Sequence, residues 1–247
     1  MKGREQMKTI SIVLLVVWLV ALPLSLSAQD VQGGDVEVIS GGQAYQSYLA
    51  TPTAEGVYPA VILIHSFRGM EPGYYTMVDQ LAAEGFVVLA VGWQTFEQSP
   101  ADSVVKQLVE DSVAFLRQRE DVDPERIGLT GFCAGGRYTM LLLPQIKSLK
   151  AGVAWYGFPY NGSPSAADLV GDLTAPMLMI HGTEDTASSI ADIYRYAGEL
   201  QAAGATFELK VYSGEPHGFM LSGGELRQDE VAADAYREMA DFFRRKL

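Results

Sequence analysis

The sequence predicts an α/β fold: a mostly parallel central sheet with helices on both faces. Two observations carry this. From residue 58 onward, short apolar runs alternate with segments of helical spacing. Most of those runs are apolar at successive positions, as strands buried on both faces must be. Strands separated by helices are the mark of crossovers between parallel neighbours.

The elements follow in order. "VEVIS" and "AYQSYLATP" (44–52) read as two strands joined by the turn "GGQ", an antiparallel start to the sheet. "YPAVILIH" (58–65) is a buried strand opened by Pro. "GYYTMVDQLAAEG" (73–85) has helical spacing and closes on Gly85. "FVVLAVGW" (86–93) is a second buried strand. "SPADSVVKQLVEDSVAFLRQRED" (99–121) starts with a Ser cap and Pro and runs as an amphipathic helix. "RIGLTGF" (126–132), "KAGVAWYG" (150–157) and "APMLMIHG" (175–182) are further buried strands, with a helix from Gly135 after the first of them. "FPYNGSPSAADLVGDLT" reads as a loop with a short helix. "SIADIYRYAGELQAAG" (189–204) is a helix, and "TFELKVYSG" (206–214) an alternating strand. "DEVAADAYREMADFFRRKL" (229–247) closes the chain as a helix whose basic residues fall in the last turn, where the dipole favours them.

The N-terminus reads differently. Lys2, Arg4 and Lys8 precede an uncharged, mostly apolar run from Ile10 to Leu26, which ends at Ser27 and Ala28. This is the plan of a secretory signal peptide. An uncleaved anchor is the alternative, because the run is close to the roughly 20 residues that span a bilayer. Residues 1–28 are therefore assigned to the signal, 29–34 to a linker and 35–247 to one domain. The protein is expected to be secreted or periplasmic, or membrane-anchored and outward-facing. With 30 acidic and 18 basic residues the formal charge is −12. Such a balance excludes nucleic-acid binding through a general field. A monomer is the expected state.

One cysteine, Cys133, occurs in 247 residues, so no internal disulfide can form. A lone thiol outside the cytosol is either buried filler or a reactive group. Its setting, Gly131-Phe132-Cys133-Ala134-Gly135, has the form Gly-x-nucleophile-x-Gly between a predicted strand and helix. A nucleophile on so tight a turn takes a strained backbone, and side chains two places away would clash. The helix start beneath favours a thiolate. A base and an orienting acid should follow in the chain. Of three histidines, His217 lies in the loop "SGEPHGFM" after the last strand, where the base belongs. Asp185 lies in "HGTEDTA" after the preceding strand, where the acid belongs. His65 and His181 end strands and are expected to bond backbone. The oxyanion would be held by the N–H of Ala134 and a second from "HSFRGM", with Phe67 the choice and Ser66 the alternative. Trp93, Phe96, Trp155, Tyr156 and Phe158 follow strand ends and could line a pocket or simply fill the core. No cluster has metal-ligand spacing and no phosphate loop is present, so no metal and no cofactor is expected.

"DPERIGLTGFCAGG", "HGTED" and "EPHGF" resemble the dienelactone hydrolase family, within the α/β-hydrolase fold, and the similarity covers most of residues 35–247. The resemblance implies Cys133 as nucleophile, His217 as base, Asp185 as acid, and hydrolysis of a lactone or ester through an acyl-enzyme. Many members carry Glu directly after the residue matching His65; here it is Ser66. The family's substrate-binding arginine four places after the base is here Leu221. Arg68 and Arg137 are the nearby cations, and with Ser66, Trp93 and Tyr156 they make the candidate substrate pocket. The expected substrate is a small ester or lactone. An acyltransferase or thioesterase on the same site, and a binding protein that keeps the fold without turnover, are the alternatives.

Overall fold

In the computed structural model, which describes residues 29–247, eight strands form one sheet. They are β1 (Val31–Ser40), β2 (Gln43–Pro52), β3 (Tyr58–Ile64), β4 (Val87–Val91), β5 (Val122–Phe132), β6 (Ala151–Trp155), β7 (Met177–Gly182) and β8 (Phe207–Tyr212). Their spatial order is β1-β2-β4-β3-β5-β6-β7-β8. β2 runs antiparallel to both neighbours, and every pair from β4 to β8 is parallel. The helices are α1 (Pro72–Ala83), α2 (Asp102–Arg117), α3 (Ala134–Leu142), α4 (Ile190–Ala202) and α5 (Glu230–Lys246). The candidate signal, residues 1–28, lies outside the described residues. Among the described residues, no helix is long and apolar enough to cross a membrane.

The continuous apolar runs have the cause that the sequence implied. Along β3, Ala60, Ile62 and Ile64 enter one core layer while Val61 and Leu63 enter the other. α2, α3 and α4 cover the first layer; α1 and α5 cover the second. The parallel strands β3, β4 and β6 are therefore apolar at odd and even positions alike, while β8, at the sheet edge, alternates. The strand order reverses at β3, since β4 lies on one side of it and β5 on the other. Loops after β3 and β5 emerge there, at the carboxyl ends of the strands, the usual ligand site of open α/β sheets.

Several boundaries differ from the sequence reading, β5 among them, which starts at Val122 and not at Arg126. Residues 31–34, expected in a linker, are the start of β1, paired from Val31↔Pro52 to Gly34↔Leu49. The two glycines looked like linker residues, but a Cβ on Gly33 would stand 2.0 Å from the Tyr48 hydroxyl. α2 begins at Asp102 rather than at Ser99, with Ala101 at the cap position and no side-chain cap bond. It ends at Arg117, four residues before Asp121. A small hairpin, β9 (Leu221–Ser222) and β10 (Glu225–Leu226), follows the His217 loop. Strands of two residues leave too little alternation to be read from sequence.

Candidate active site

The elbow is built by close backbone approach. A Cβ on Gly131 would stand 2.2 Å from Gly135 O, and one on Gly135 would stand 2.0 Å from Ile64 O. Both positions therefore admit only glycine. Cys133 itself has φ 56°, one of two non-glycine residues with positive φ among those described. Such a backbone costs of order 1–3 kcal/mol and persists only where the surroundings enforce it. The elbow is held by Cys133 N–H donating to Trp155 O (3.0 Å) and Arg137 N–H donating to Cys133 O (2.9 Å). The sulfur-bearing residue is half-buried, so it is not walled into the core.

His217 arrives from the loop after β8, and its Nδ1 lies 2.7 Å from Asp185 Oδ2. Asp185 is buried in the loop after β7. Its Oδ1 accepts N–H bonds from Ala187 (2.9 Å) and Ser188 (2.7 Å). Burial alone would raise its pKa; the bonds from His217 and Ser188 outweigh burial and hold it below the ordinary carboxylate value. An ionised carboxylate can only accept, so Nδ1 of His217 carries a proton and Nε2 faces away. Nε2 is buried and makes no regular hydrogen bond to the described residues. The Cys133 side chain nevertheless stands close enough to act on the ring. Burial disfavours the imidazolium, but Asp185 and Cys133 more than compensate, and the His217 pKa rises from 6.5 to about 9. The 84-residue gap between sulfur and imidazole is thus closed by the fold.

The remaining histidines bond backbone. His65 Nδ1 lies 2.8 Å from Ser66 O, and His181 Nε2 lies 2.8 Å from Ser188 O. His181 Nε2 is also 3.3 Å from Asp185 Oδ2, a contact that sequence reading missed. It places a second imidazole against the acid.

The loop after β3 meets the elbow. The N–H groups of Ala134 and Phe67 take no hydrogen bond among the described residues. Ser66 N–H is taken by the Tyr74 hydroxyl (3.3 Å), so Phe67 remains the free donor of the pair. Ser66 Oγ accepts from Arg68 N–H (3.2 Å) and stands 3.5 Å from Glu71 Oε2. Glu71 was not singled out from the sequence. Its charge acts on Tyr74 and Tyr156, the two buried phenols on which Cys133 also acts. No motif marked it, because it sits five residues beyond Ser66 and enters the site only through the turn at Gly69.

The candidate pocket residues separate. Tyr156, the other non-glycine residue with positive φ, packs edge-on to His217 at 5.1 Å, and Phe158 lies 5.5 Å from the same ring. Arg68 is exposed on the loop and pairs with no carboxylate among the described residues. Trp93 does not line an open pocket. It is buried against His65 and donates from Nε1 to His65 O (3.1 Å), so it supports the loop from behind. Arg137 is also drawn away. Both of its terminal nitrogens bond Asp102 (2.7 and 2.6 Å), and its Nε donates to Asn161 O (3.0 Å). Trp155 is core, stacked on Phe132 with its Nε1 on Thr130 Oγ1. Phe96 is half-exposed against Tyr45 on the β2 side. Among the described residues no cluster of three or more His, Cys, Asp or Glu could hold a metal ion.

A doubly covered, mostly parallel sheet with a strained strand-to-helix elbow, followed by acid and histidine loops, defines an α/β-hydrolase. The sequence model of the dienelactone hydrolase family matches residues 45–93 and 91–247, and the chain belongs to that family. A protein of Methylorubrum extorquens named "Putative carboxymethylenebutenolidase" is 28% identical over 243 residues, covering 90% of this chain and 84% of its own. A Bradyrhizobium protein named "Probable 2-oxo-3-(5-oxofuran-2-ylidene)propanoate lactonase" is 28% identical over 226 residues, covering 83% and 87%. The crystal structure of a Klebsiella pneumoniae protein described as a "Putative Dienelactone Hydrolase" superposes with TM-score 0.79 at 26% identity, covering 87% of this chain and 99% of that one. The protein is an enzyme of the lactone and carboxylic-ester hydrolase class.

Proposed function

We propose that the enzyme cleaves a small lactone or carboxylic ester through a Cys133 acyl-enzyme, with His217 as base and Asp185 as its orienting acid. The observation that carries this reading is the line Asp185–His217–Cys133, in which Nδ1 is fixed by the carboxylate and Nε2 is left for the thiol. The Cys133 thiol gives its proton to His217 Nε2, a transfer that a His217 pKa near 9 favours. The sulfur attacks the carbonyl carbon, and the N–H groups of Ala134 and Phe67 hold the oxyanion. Collapse expels the alkoxide, which takes the proton from His217 Nε2. The neutral imidazole then removes a proton from water, and the hydroxide adds to the thioester. The second collapse returns the thiolate, the imidazolium and the free acid. Every proton passes through one nitrogen, so no further acid or base is required. Each oxyanion donor contributes about 3–4 kcal/mol to such a transition state.

Lactone substrates are supported by the names of the two relatives above. Export from the cytosol is proposed on the pattern of residues 1–28 alone. The deciding experiment is a panel of p-nitrophenyl esters and simple lactones against wild type and Cys133→Ala. Hydrolysis by wild type and none by the variant is expected. Equal rates for both proteins would end the reading. Release into added alcohols or thiols in preference to water would move the assignment to acyl transfer.

A further inference from the structure

Arg227 joins the two flanks of the segment that carries His217. Its Nη1 donates to Glu215 Oε2 (2.6 Å) and to Phe219 O (2.8 Å), and its Nη2 reaches Glu215 Oε1 (3.3 Å). Glu215 lies two residues before His217 and Phe219 two residues after. A third arm, Nε, donates to Asp229 Oδ2 (2.6 Å), and Asp229 caps α5 through Ala232 N–H (2.9 Å). The backbone N–H of Arg227 closes the β9–β10 hairpin onto Met220 O (3.0 Å). One side chain thus spans the arc 215–219 and fastens it to a helix. Glu215 O in turn accepts Glu184 N–H (3.0 Å), one residue from the acid.

Phe219 is buried among Trp155, Tyr156 and Tyr212 and anchors that end of the arc by packing, but the polar ties along the arc are few. Among the described residues, side-chain hydrogen bonds to residues 215–219 come from Arg227 and Asp185 alone. Gly218, inside the arc, has φ +73° and supplies no stiffness. The pair is also better placed than an ordinary surface ion pair, with side-chain exposures of 22% for Arg227 and 13% for Glu215. A planar guanidinium fork can serve a carboxylate, a carbonyl and a second carboxylate at once; an ammonium cannot hold that geometry.

We infer that Arg227 is a positioning residue for the reaction: it fixes the 215–219 arc so that the His217 ring stays between Asp185 and the Cys133 sulfur. This rests on His217 being the base. The groups that face the imidazole are Asp185 and His181 from β7 and its loop, Cys133 from the elbow, and Tyr156 after β6. None of them bonds Arg227, so replacing it leaves those groups in place and acts on the ring only by moving it away from them.

The test compares Arg227→Ala, Arg227→Lys and His217→Ala by p-nitrophenyl ester kinetics and by NMR titration of the His217 imidazole. Arg227→Ala should lower kcat about 10- to 100-fold, the scale of a misplacement near 1 Å, with KM within about twofold. The imidazole titration should fall from about 9 toward 6.5 as the ring leaves Asp185 and Cys133. Arg227→Lys should recover little, whereas free guanidinium added to Arg227→Ala should restore part of kcat. If Arg227→Ala does not fold, Glu215→Gln is read in the same way. Wild-type kcat, or a loss of kcat with an unmoved imidazole titration, would overturn the inference. A fully active His217→Ala would instead remove the reading of the base on which it rests.

Discussion

Asp185→Asn tests the site at its most constrained atom. In the native protein both carboxylate oxygens are committed: Oδ1 to the N–H groups of Ala187 and Ser188, Oδ2 to His217. An amide has one oxygen. Turned toward Ala187 and Ser188, it presents its NH2 to His217 Nδ1. That nitrogen must then accept, the proton moves to Nε2, and the base faces the thiol with no lone pair. Turned the other way, the NH2 meets two N–H donors, which is the costlier arrangement because two buried donors lose their acceptor. The first orientation therefore wins. Electrostatics contributes part of the loss. The His217 pKa stands about 2.5 units above its ordinary 6.5, which is about 3.4 kcal/mol, or about 300-fold, shared between Asp185 and Cys133. Inverting the tautomer adds to this, and in serine hydrolases the same change costs about 10⁴-fold in kcat. Asp185→Asn should thus lose about 10³- to 10⁴-fold in ester hydrolysis, with its urea transition still cooperative. The imidazole titration should fall as well, since the carboxylate that favours the charged ring is gone. The stabilisation that the native ring gives the fold is complete below pH 6.5 and is lost as pH rises through 9; the variant should lack most of that slope. Activity within tenfold of wild type would refute the tautomer argument.

Other outcomes follow from particular contacts. Gly135→Ala would set a Cβ 2.0 Å from Ile64 O, and should destabilise the protein by about 3 kcal/mol or more in urea unfolding. His65, buried and neutral, has its pKa lowered by burial from 6.5 to about 4. The unfolded chain takes up this proton first, so stability should fall as pH drops through 6.5 and level off below 4. By pH 5 the loss is about 2 kcal/mol, and His65→Asn should not show it in melts at the two pH values. Asp102→Asn breaks the pair with Arg137, which is partly exposed, and should cost under about 1 kcal/mol while leaving kcat/KM unchanged.

How much of this was legible depended on whether a residue's role left a local mark. Cys133, Asp185 and His217 could be placed because each follows a strand: continuous apolarity marks the strands before Cys133 and Asp185, and alternation marks the one before His217. The strain at Cys133 was legible because glycines must stand at 131 and 135. The positive φ at Tyr156 was not: a Cβ on Gly157 beside it would stand 2.7 Å from Gly136 C, but one glycine after a strand reads as an ordinary loop residue. Arg137 looked available because sequence shows a cation near the elbow but not that Asp102, 35 residues earlier, captures it. Gly33 and Gly34 looked like a linker because composition does not record Tyr48 lying against them. Glu71 and the Arg227 clamp were invisible because neither pairing has a spacing that a motif marks; His181 and Asp185 are only four residues apart, but at a strand end and in its loop, where no helical periodicity would bring them together.

Cys133 is the only sulfhydryl along 247 residues. With Cys133 as the proposed nucleophile, a maleimide or disulfide reagent would count competent centres directly, with no background from elsewhere in the polypeptide. The same solitude removes a safeguard. A sulfenic acid formed there has no second thiol within the chain to condense with, so it is rescued by an external reductant or proceeds to the irreversible sulfinic form. Peroxide should consequently silence the molecule one copy at a time, each either intact or dead.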